Sequence, residues 1–163
     1  MAFVRIIEET TFQSDVFRDG NEWAVIINIG YDDELPLNYS LVVGLSPMAG
    51  GDLEYYFYMV EADSANDREE IYWCAQRVAR LVPAEDRVIV LGSLLTATKA
   101  LLDNARPERF DMVTRDANPP EKALVKYHLI GSVFEACGYN VNVADPWHGK
   151  RIWWMERQGA AGR

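Results

Sequence analysis

Histidine and cysteine, the residues that most often build metal centres in proteins, are scarce in this chain. His128 and His148 are its two histidines and Cys74 and Cys137 its two cysteines, with no HxH, HExxH or CxxC pattern. Zinc sites use such closely spaced residues to bring nitrogen and sulfur ligands to one ion. The sequence therefore predicts no metal site.

Motifs for nucleophilic catalysis and for phosphate binding are missing as well. Ser93 follows an apolar run and precedes a helical pattern, as the serine of a nucleophile elbow does, but the sequence LGSLL lacks the second glycine of that motif. A serine that caps a helix is the simpler interpretation. Neither GxxxxGK[ST] nor GxGxxG occurs. The sequence thus contains no recognisable phosphate-binding loop.

Charge is distributed very unevenly along the chain. Residues 1–70 contain 15 acidic residues and three arginines, whereas the remainder is slightly basic, and the whole chain has a net charge of −9. A field of this sign repels phosphate groups, so the acidic half disfavours nucleic acid and anionic membranes as partners. It attracts a basic protein surface or a cationic small molecule. The alternative is that the acidic residues form a solvated face that only keeps the protein soluble. The sequence does not decide whether the protein is a homo-oligomer.

The densest group of acids is the candidate contact surface. Residues 52–70 contain seven acids and one base, Arg68, and three consecutive acids at 32–34 fall at an expected hairpin tip. We expect the two groups to share one rim of the sheet. The predicted partner-binding residues are Asp32, Asp33, Glu34, Glu61, Asp63, Asp67 and Glu70.

The first 60 residues contain four strand-like runs, at 3–8, 23–31, 39–45 and 53–60. They are rich in β-branched and aromatic residues and are separated by short loops. Strands joined by short loops form an antiparallel meander. The last run has aromatic side chains on both faces, which predicts a central strand.

The apolar period then changes from two residues to 3.6. Residues 67–82 form an apolar stripe that predicts a helix, capped by Ser64 or Asn66 and ended by Pro83. Trp73 lies beside that stripe, so we expect it to be buried.

The second half of the chain alternates between strand and helix patterns. The predicted elements are a buried strand at 87–91, helices at 94–104 and 121–137, and a hairpin of strands at 139–143 and 151–155. Phe134 lies on the apolar stripe of the second helix and should be buried. Together the elements predict one α+β domain over residues 1–158, with a mostly antiparallel sheet and a frayed tail at 159–163. The two widely separated cysteines are typical of a cytoplasmic protein.

The order of these elements resembles the core of the GNAT family of N-acyltransferases. Residues 133–139, VFEACGY, resemble the family's late-helix signature, and residues 154–157, WMER, resemble its closing strand. The resemblance implies acetyl-CoA as the cofactor and a late-helix tyrosine as the general acid toward the CoA thiolate. Tyr127, seven residues before the matching position on the same helix face, is the candidate for that role if the protein is an acyltransferase. The resemblance also implies that the pyrophosphate would be bound by Ser64, Ala65, Asn66 and Arg68.

The chain departs from the family's pattern at the positions that bind and protonate CoA. Residues 63–70 contain no glycine, and Asp67, Glu69 and Glu70 would repel a pyrophosphate at the start of a helix. Phe134 stands where the family has its tyrosine acid. We therefore interpret the protein as a non-catalytic acidic interaction module that needs no cofactor, of the accessory or inhibitor type found in phage and mobile elements. The alternative is an acyl-CoA-dependent N-acyltransferase that acts on a cationic amine.

Overall fold

A computed structural model describes residues 2–8, 15–73, 75–115 and 117–159 of the chain. The strands are β1 (Phe3–Arg5), β2 (Val16–Asp19), β3 (Glu22–Asp32), β4 (Leu37–Pro47), β5 (Leu53–Asp63), β6 (Arg68–Tyr72), β7 (Arg109–Val113), β8 (Tyr139–Val143) and β9 (Ile152–Arg157). The helices are α1 (Ala75–Leu81), α2 (Ala84–Ala105) and α3 (Glu121–Ala136). Within these residues the strands form one sheet, and the fold is α+β. The main path through the sheet is β1-β3-β4-β5-β7-β9-β8, while β2 pairs with β3 and β6 pairs with β5.

The antiparallel meander predicted for the first part of the chain is confirmed. β3 pairs with β4, and β4 pairs with β5 along the full length of both strands. β5 lies in the middle of the sheet, as its aromatic side chains on both faces predicted. The sheet is mostly antiparallel, and β5 and β7 form its parallel junction.

The junction between β5 and β7 is short. The two strands pair only where residues 53–55 lie beside residues 110–112, and beyond that point they separate. The same edge of β5 pairs again further along, where residues 59–63 bond to β6. Residues 56–58 therefore lie in a gap between β7 and β6.

One face of the sheet carries the helices and the core. The Tyr55 and Thr98 hydroxyls lie 2.6 Å apart and join β5 to α2. On α3, the Phe134 ring packs edge-on against Tyr55 and Phe110, with ring centroids 5.1 and 4.9 Å away. Phe134 is completely buried, which confirms the sequence prediction.

The helix predicted over residues 67–82 is wrong in its first half. Residues 64–67 form a turn and residues 68–72 form β6, so that the helix begins only at Ala75. The Asp63 carboxylate accepts hydrogen bonds from the backbone N–H groups of Ala65 and Asn66, and Asp67 adopts a left-handed backbone with φ +50°. These local interactions favour a hairpin, and pairing with β5 completes it.

The strand predicted over residues 87–91 is also wrong, because those residues lie inside α2. A short apolar run fits a buried strand and one turn of a helix equally well. Ser93 does not cap this helix, since its hydroxyl donates to the Ile89 carbonyl oxygen four residues earlier. By length and composition α2 resembles a membrane-spanning segment, but Thr98 and Leu101 on it are fully buried in the core.

From α3 onward the chain follows the prediction closely, whereas β7 was not predicted. α3 begins after Pro120, and Gly138 follows its end with φ +93°. β8 and β9 form the closing hairpin, and β9 also pairs with β7. Cys74 and residues 160–163 of the predicted frayed tail lie outside the described residues.

Candidate functional site

Two acidic hairpin tips meet at one end of the sheet. The loop between β3 and β4 lies beside the turn between β5 and β6, because the Ser64 backbone N–H and hydroxyl both donate to the Pro36 carbonyl oxygen, at 3.0 and 3.1 Å. The register places Leu37 opposite Asp63. We call this end the acidic rim and define it by Asp33, Glu34, Asp63, Asp67 and Glu69.

Two of the predicted contact residues hold the loops themselves. Asp32 is only 4% exposed, and its carboxylate accepts hydrogen bonds from the backbone N–H groups of Glu34 and Leu35. Hydrogen bonds from the Asn66 side chain and then from the backbone lower the pKa of Asp63. Asp32 is therefore too buried to contact a partner, and Asp63 contributes charge while it shapes its turn.

Glu61 and Glu70 lie beside aromatic and basic side chains of the helix-bearing face. Burial and then the charges of Glu61 and Glu70 raise the pKa of Tyr72 to about 12. Glu70 forms an ion pair with Arg77 on α1, whose guanidinium lies 4.6 Å from the centre of the Tyr72 ring. These two carboxylates thus have neighbours within the domain, and Glu70 is partly neutralised.

The remaining predicted acids, Asp33, Glu34 and Asp67, are exposed on the rim. Glu69 is exposed beside them; it belongs to the acidic group at 52–70 but was not predicted as a contact residue. In β6 it pairs in register with Ala62, on the face of the sheet away from the helices. The signal available in the sequence was that Glu69 stands between two predicted contact residues, Asp67 and Glu70.

The face of the sheet opposite the helices carries apolar side chains on β3 to β6, together with the polar Asn28 and Ser40. Ile26 is 55% exposed and Ile71 42%, and between them lie Val42, Tyr58 and Val60 on the same face. Among the described residues no helix packs on this part of the sheet, and we call it the uncovered face. Sequence alternation alone could not show that it lacks a covering helix.

Trp73 belongs to the uncovered face, so the prediction that it is buried is wrong. It is 37% exposed, and its ring lies 4.5 Å from that of Tyr58. The Arg115 guanidinium lies 4.3 Å from the Trp73 ring centre and 3.4 Å from a Glu54 oxygen. Because Trp73 follows a strand rather than a helical turn, its side chain lies against the sheet instead of the core.

A cavity lies between the helices and the sheet. Apolar side chains of β5, β6 and α2, among them Met59, Tyr72 and Leu94, line this cavity of about 230 Å³. Arg87 and Lys126 are the charged residues of its lining. The cavity reaches the gap in the edge of β5, where Phe57 and Tyr58 contribute to its wall.

The residues that the family resemblance assigned to acyl-CoA do not come together at this cavity. Ser64, Ala65, Asn66 and Arg68 belong to the hairpin tip or to β6, without the helix N-terminus that would attract a pyrophosphate. Tyr127 is buried and stacks on Trp153, with centroids 5.3 Å apart and an interplanar angle of 6°.

Among the described residues no group of three or more His, Cys, Asp or Glu side chains is placed to hold a metal ion. The chain matches no protein-family model, no curated protein and no solved structure. The acidic rim, the uncovered face and the cavity are therefore the features of the molecule from which its function can be inferred.

Replacing Asp111 by asparagine should stabilise the protein at pH 7. Burial, followed by the negative charge of Asp52, raises the pKa of Asp111. An acid whose pKa is higher in the folded state makes folding less favourable as pH rises above its unfolded value of about 4. The urea midpoint of Asp111→Asn should therefore exceed that of the wild type by an amount that grows as pH rises above about 4 and becomes constant above the folded-state pKa of Asp111. A midpoint difference that does not change with pH would contradict this cause.

Proposed function

We propose that the protein is a non-catalytic interaction module that binds a basic surface of another protein through the acidic rim. The observation that carries the proposal is the meeting of two acidic hairpin tips at one end of the sheet. Asp33, Asp67 and Glu69 are exposed there. Binding of this kind suits an accessory protein or an inhibitor.

Crowding of like charges on the acidic rim lowers the stability of the free protein. Acids on adjacent loops repel one another and oppose folding, and a basic partner would offset that repulsion. Two bases offset part of this charge, since Arg77 on α1 forms an ion pair with Glu70, and Arg68 lies opposite Asp63 in the β5–β6 register. The charge that remains on the rim would accelerate association with a basic surface and make it sensitive to salt.

Affinity capture with a matched pair of variants tests this proposal. The rim variant carries Asp33→Lys, Asp67→Asn and Glu69→Lys, where asparagine tolerates the left-handed backbone of position 67. The control variant carries Glu121→Lys, Glu135→Lys and Asp145→Asn, three exposed acids elsewhere, and changes the net charge equally.

We expect wild type and control to retain, at low salt, a protein with a basic surface that the rim variant loses. The retained protein would be identified by mass spectrometry, and its binding to purified wild type would be confirmed directly. Equal retention by the rim variant would contradict the proposed function.

An acyl-CoA-dependent N-acyltransferase of GNAT type, acting on a cationic amine, is the second candidate. It is favoured by the cavity beside the gap between β5 and β7, because the positive charges of Arg87 and Lys126 in its lining suit an anionic ligand such as acyl-CoA. Two observations favour the first candidate instead. β6 occupies the edge of β5 beyond the gap, and Glu85 and Asp86 lie in the first turn of α2, where they would repel a pyrophosphate.

Acetyl-CoA should leave the melting temperature unchanged. A ligand present at 100 times its dissociation constant would stabilise the fold by about 2.7 kcal/mol, a shift of several degrees. A saturable shift that Arg87→Glu abolishes and the exposed control Arg80→Glu preserves would favour the acyltransferase.

A further inference from the structure

The uncovered face presents apolar side chains on four strands, in two cross-strand rows, of which the second also includes the polar Asn28 and Ser40. Ile26 on β3 lies in one cross-strand row with Val42 and Tyr58, and the next row brings Val60 beside Ile71 on β6. Three strand spacings separate β3 from β6, about 14 Å. Large apolar surfaces of this kind on a folded domain commonly mark a site of interaction.

The aromatic side chains on this face are held in place rather than loosely exposed. The Tyr56 ring stacks on that of Tyr58 at 5.8 Å and an angle of 10°, and its hydroxyl donates to Glu22 at 2.9 Å. Trp73 packs against Tyr58 in turn. A partner would therefore meet a surface that loses little side-chain freedom on binding.

Carboxylates border the apolar surface on two sides, and Arg115, the base beside Trp73, is ion-paired with Glu54. Glu22 lies at the β3 side next to Tyr56, and Glu69 lies at the β6 side, continuous with the acidic rim. Burial, with Glu22 and Glu69 as the next causes, raises the pKa of Tyr58, so both charges act on the middle of the face.

We propose that the uncovered face docks an amphipathic helix of the partner, one with an apolar stripe flanked by lysine or arginine. The proposal rests on the proposed function, because it identifies where the partner's apolar contacts lie. A helix is the element that buries the apolar face of a sheet in layered folds, as α2 and α3 do on the other side. Basic flanks would complement Glu22 and Glu69.

Charge also argues against two other occupants. A second copy of the chain carries the same net charge of −9 and would bring one acidic border against another. An anionic membrane would be repelled for the same reason. A basic partner is attracted by the charges that exclude both.

A synthetic peptide of about 18 residues tests the proposal, since that length sustains a helix. It carries leucines at helical spacing flanked by lysines, and its control replaces every lysine by glutamate. Titration calorimetry with the whole chain should show salt-sensitive binding of the lysine peptide, with a negative heat-capacity change from apolar burial. The glutamate peptide should not bind.

Substitutions on the face locate the contact. Ile26→Ser with Ile71→Ser should weaken binding of the lysine peptide more than about tenfold, since each removes buried apolar area. Val125→Ser with Val143→Ser, which changes two exposed apolar side chains outside the face, should alter it less than about twofold. All four side chains are exposed, so both double variants should fold, as circular dichroism would show.

Three results would overturn the proposal. Failure of the lysine peptide to bind wild type is the first. The second is peptide binding that the rim variant abolishes but the Ile26 and Ile71 substitutions leave unchanged, which would leave the proposed function standing without this face. The third is a dimer of the wild type, seen in sedimentation, that is absent when Ile26 and Ile71 are replaced by serine. The uncovered face would then be occupied by a second copy of the chain. Failure of the proposed function would give a different result, because the rim variant would then retain the same protein as the wild type in affinity capture.

Discussion

Replacement of Phe134 by alanine is expected to destabilise the fold by about 3–5 kcal/mol. The side chain is completely buried and packs edge-on against Tyr55 on β5 and Phe110 on β7. It therefore connects α3 to the two strands whose separation shapes the middle of the sheet. Truncation would leave a cavity between elements that cannot easily close together, since both strands are fixed by the parallel junction.

Urea unfolding of Phe134→Ala, followed by circular dichroism, measures the effect. Val125→Ala is the matched control, because Val125 lies on the same helix and is 56% exposed, so its truncation should cost well under 1 kcal/mol. A Phe134→Ala protein that unfolds at the wild-type midpoint would mean that α3 does not pack against β5 as described.

Gly44→Ala should destabilise the protein by about 1–3 kcal/mol, the second large effect on stability. A Cβ at this position would overlap the Tyr56 side chain and lie 2.8 Å from the Trp23 carbonyl oxygen. Glycine at 44 thus allows the Tyr56 ring to cross β4 toward Glu22. The substitution would displace that ring and strain β3, which also perturbs the uncovered face.

Thermal and urea unfolding of Gly44→Ala would be compared with those of Gly50→Ala. Gly50 has open space around the position of a Cβ, so the control should unfold within about 0.5 kcal/mol of the wild type. Partial recovery of stability on adding Tyr56→Ala to Gly44→Ala would identify the displaced ring as one cause. Equal stability of the Gly44 and Gly50 variants would contradict the described packing.

The elements that the sequence predicted well are those in which local pattern and tertiary environment agree. β3, β4 and β5 alternate in side-chain type and are separated by short loops, and α3 has a proline before it and a glycine after it. The predictions for residues 67–72 and 87–91 were wrong because the apolar pattern in each segment fits both a helix and a strand. β6 forms by pairing with β5, and the apolar run at 87–91 takes its conformation from the rest of α2.

The candidate site divides in the same way. Net charge and the acidic tips follow from composition, whereas the use of Asp32 and Asp63 to hold loops depends on hydrogen bonds that no count of residues reveals. The uncovered face was beyond prediction, because it depends on all three described helices contacting the other side. Trp73 shows the point, since it was assigned to a helix stripe and lies on the exposed face.

The rate of association with the captured partner, measured against ionic strength, tests the central claim most directly. Stopped-flow mixing would compare wild type, the rim variant and the control variant from low salt to about 0.5 M, where charges are screened within a few ångströms. We predict a rate constant that falls steeply with salt for wild type and control. For the rim variant it should be at least about tenfold lower at low salt and nearly independent of salt. Equal rate constants and equal salt dependence for wild type and the rim variant would contradict the claim that the acidic rim drives binding.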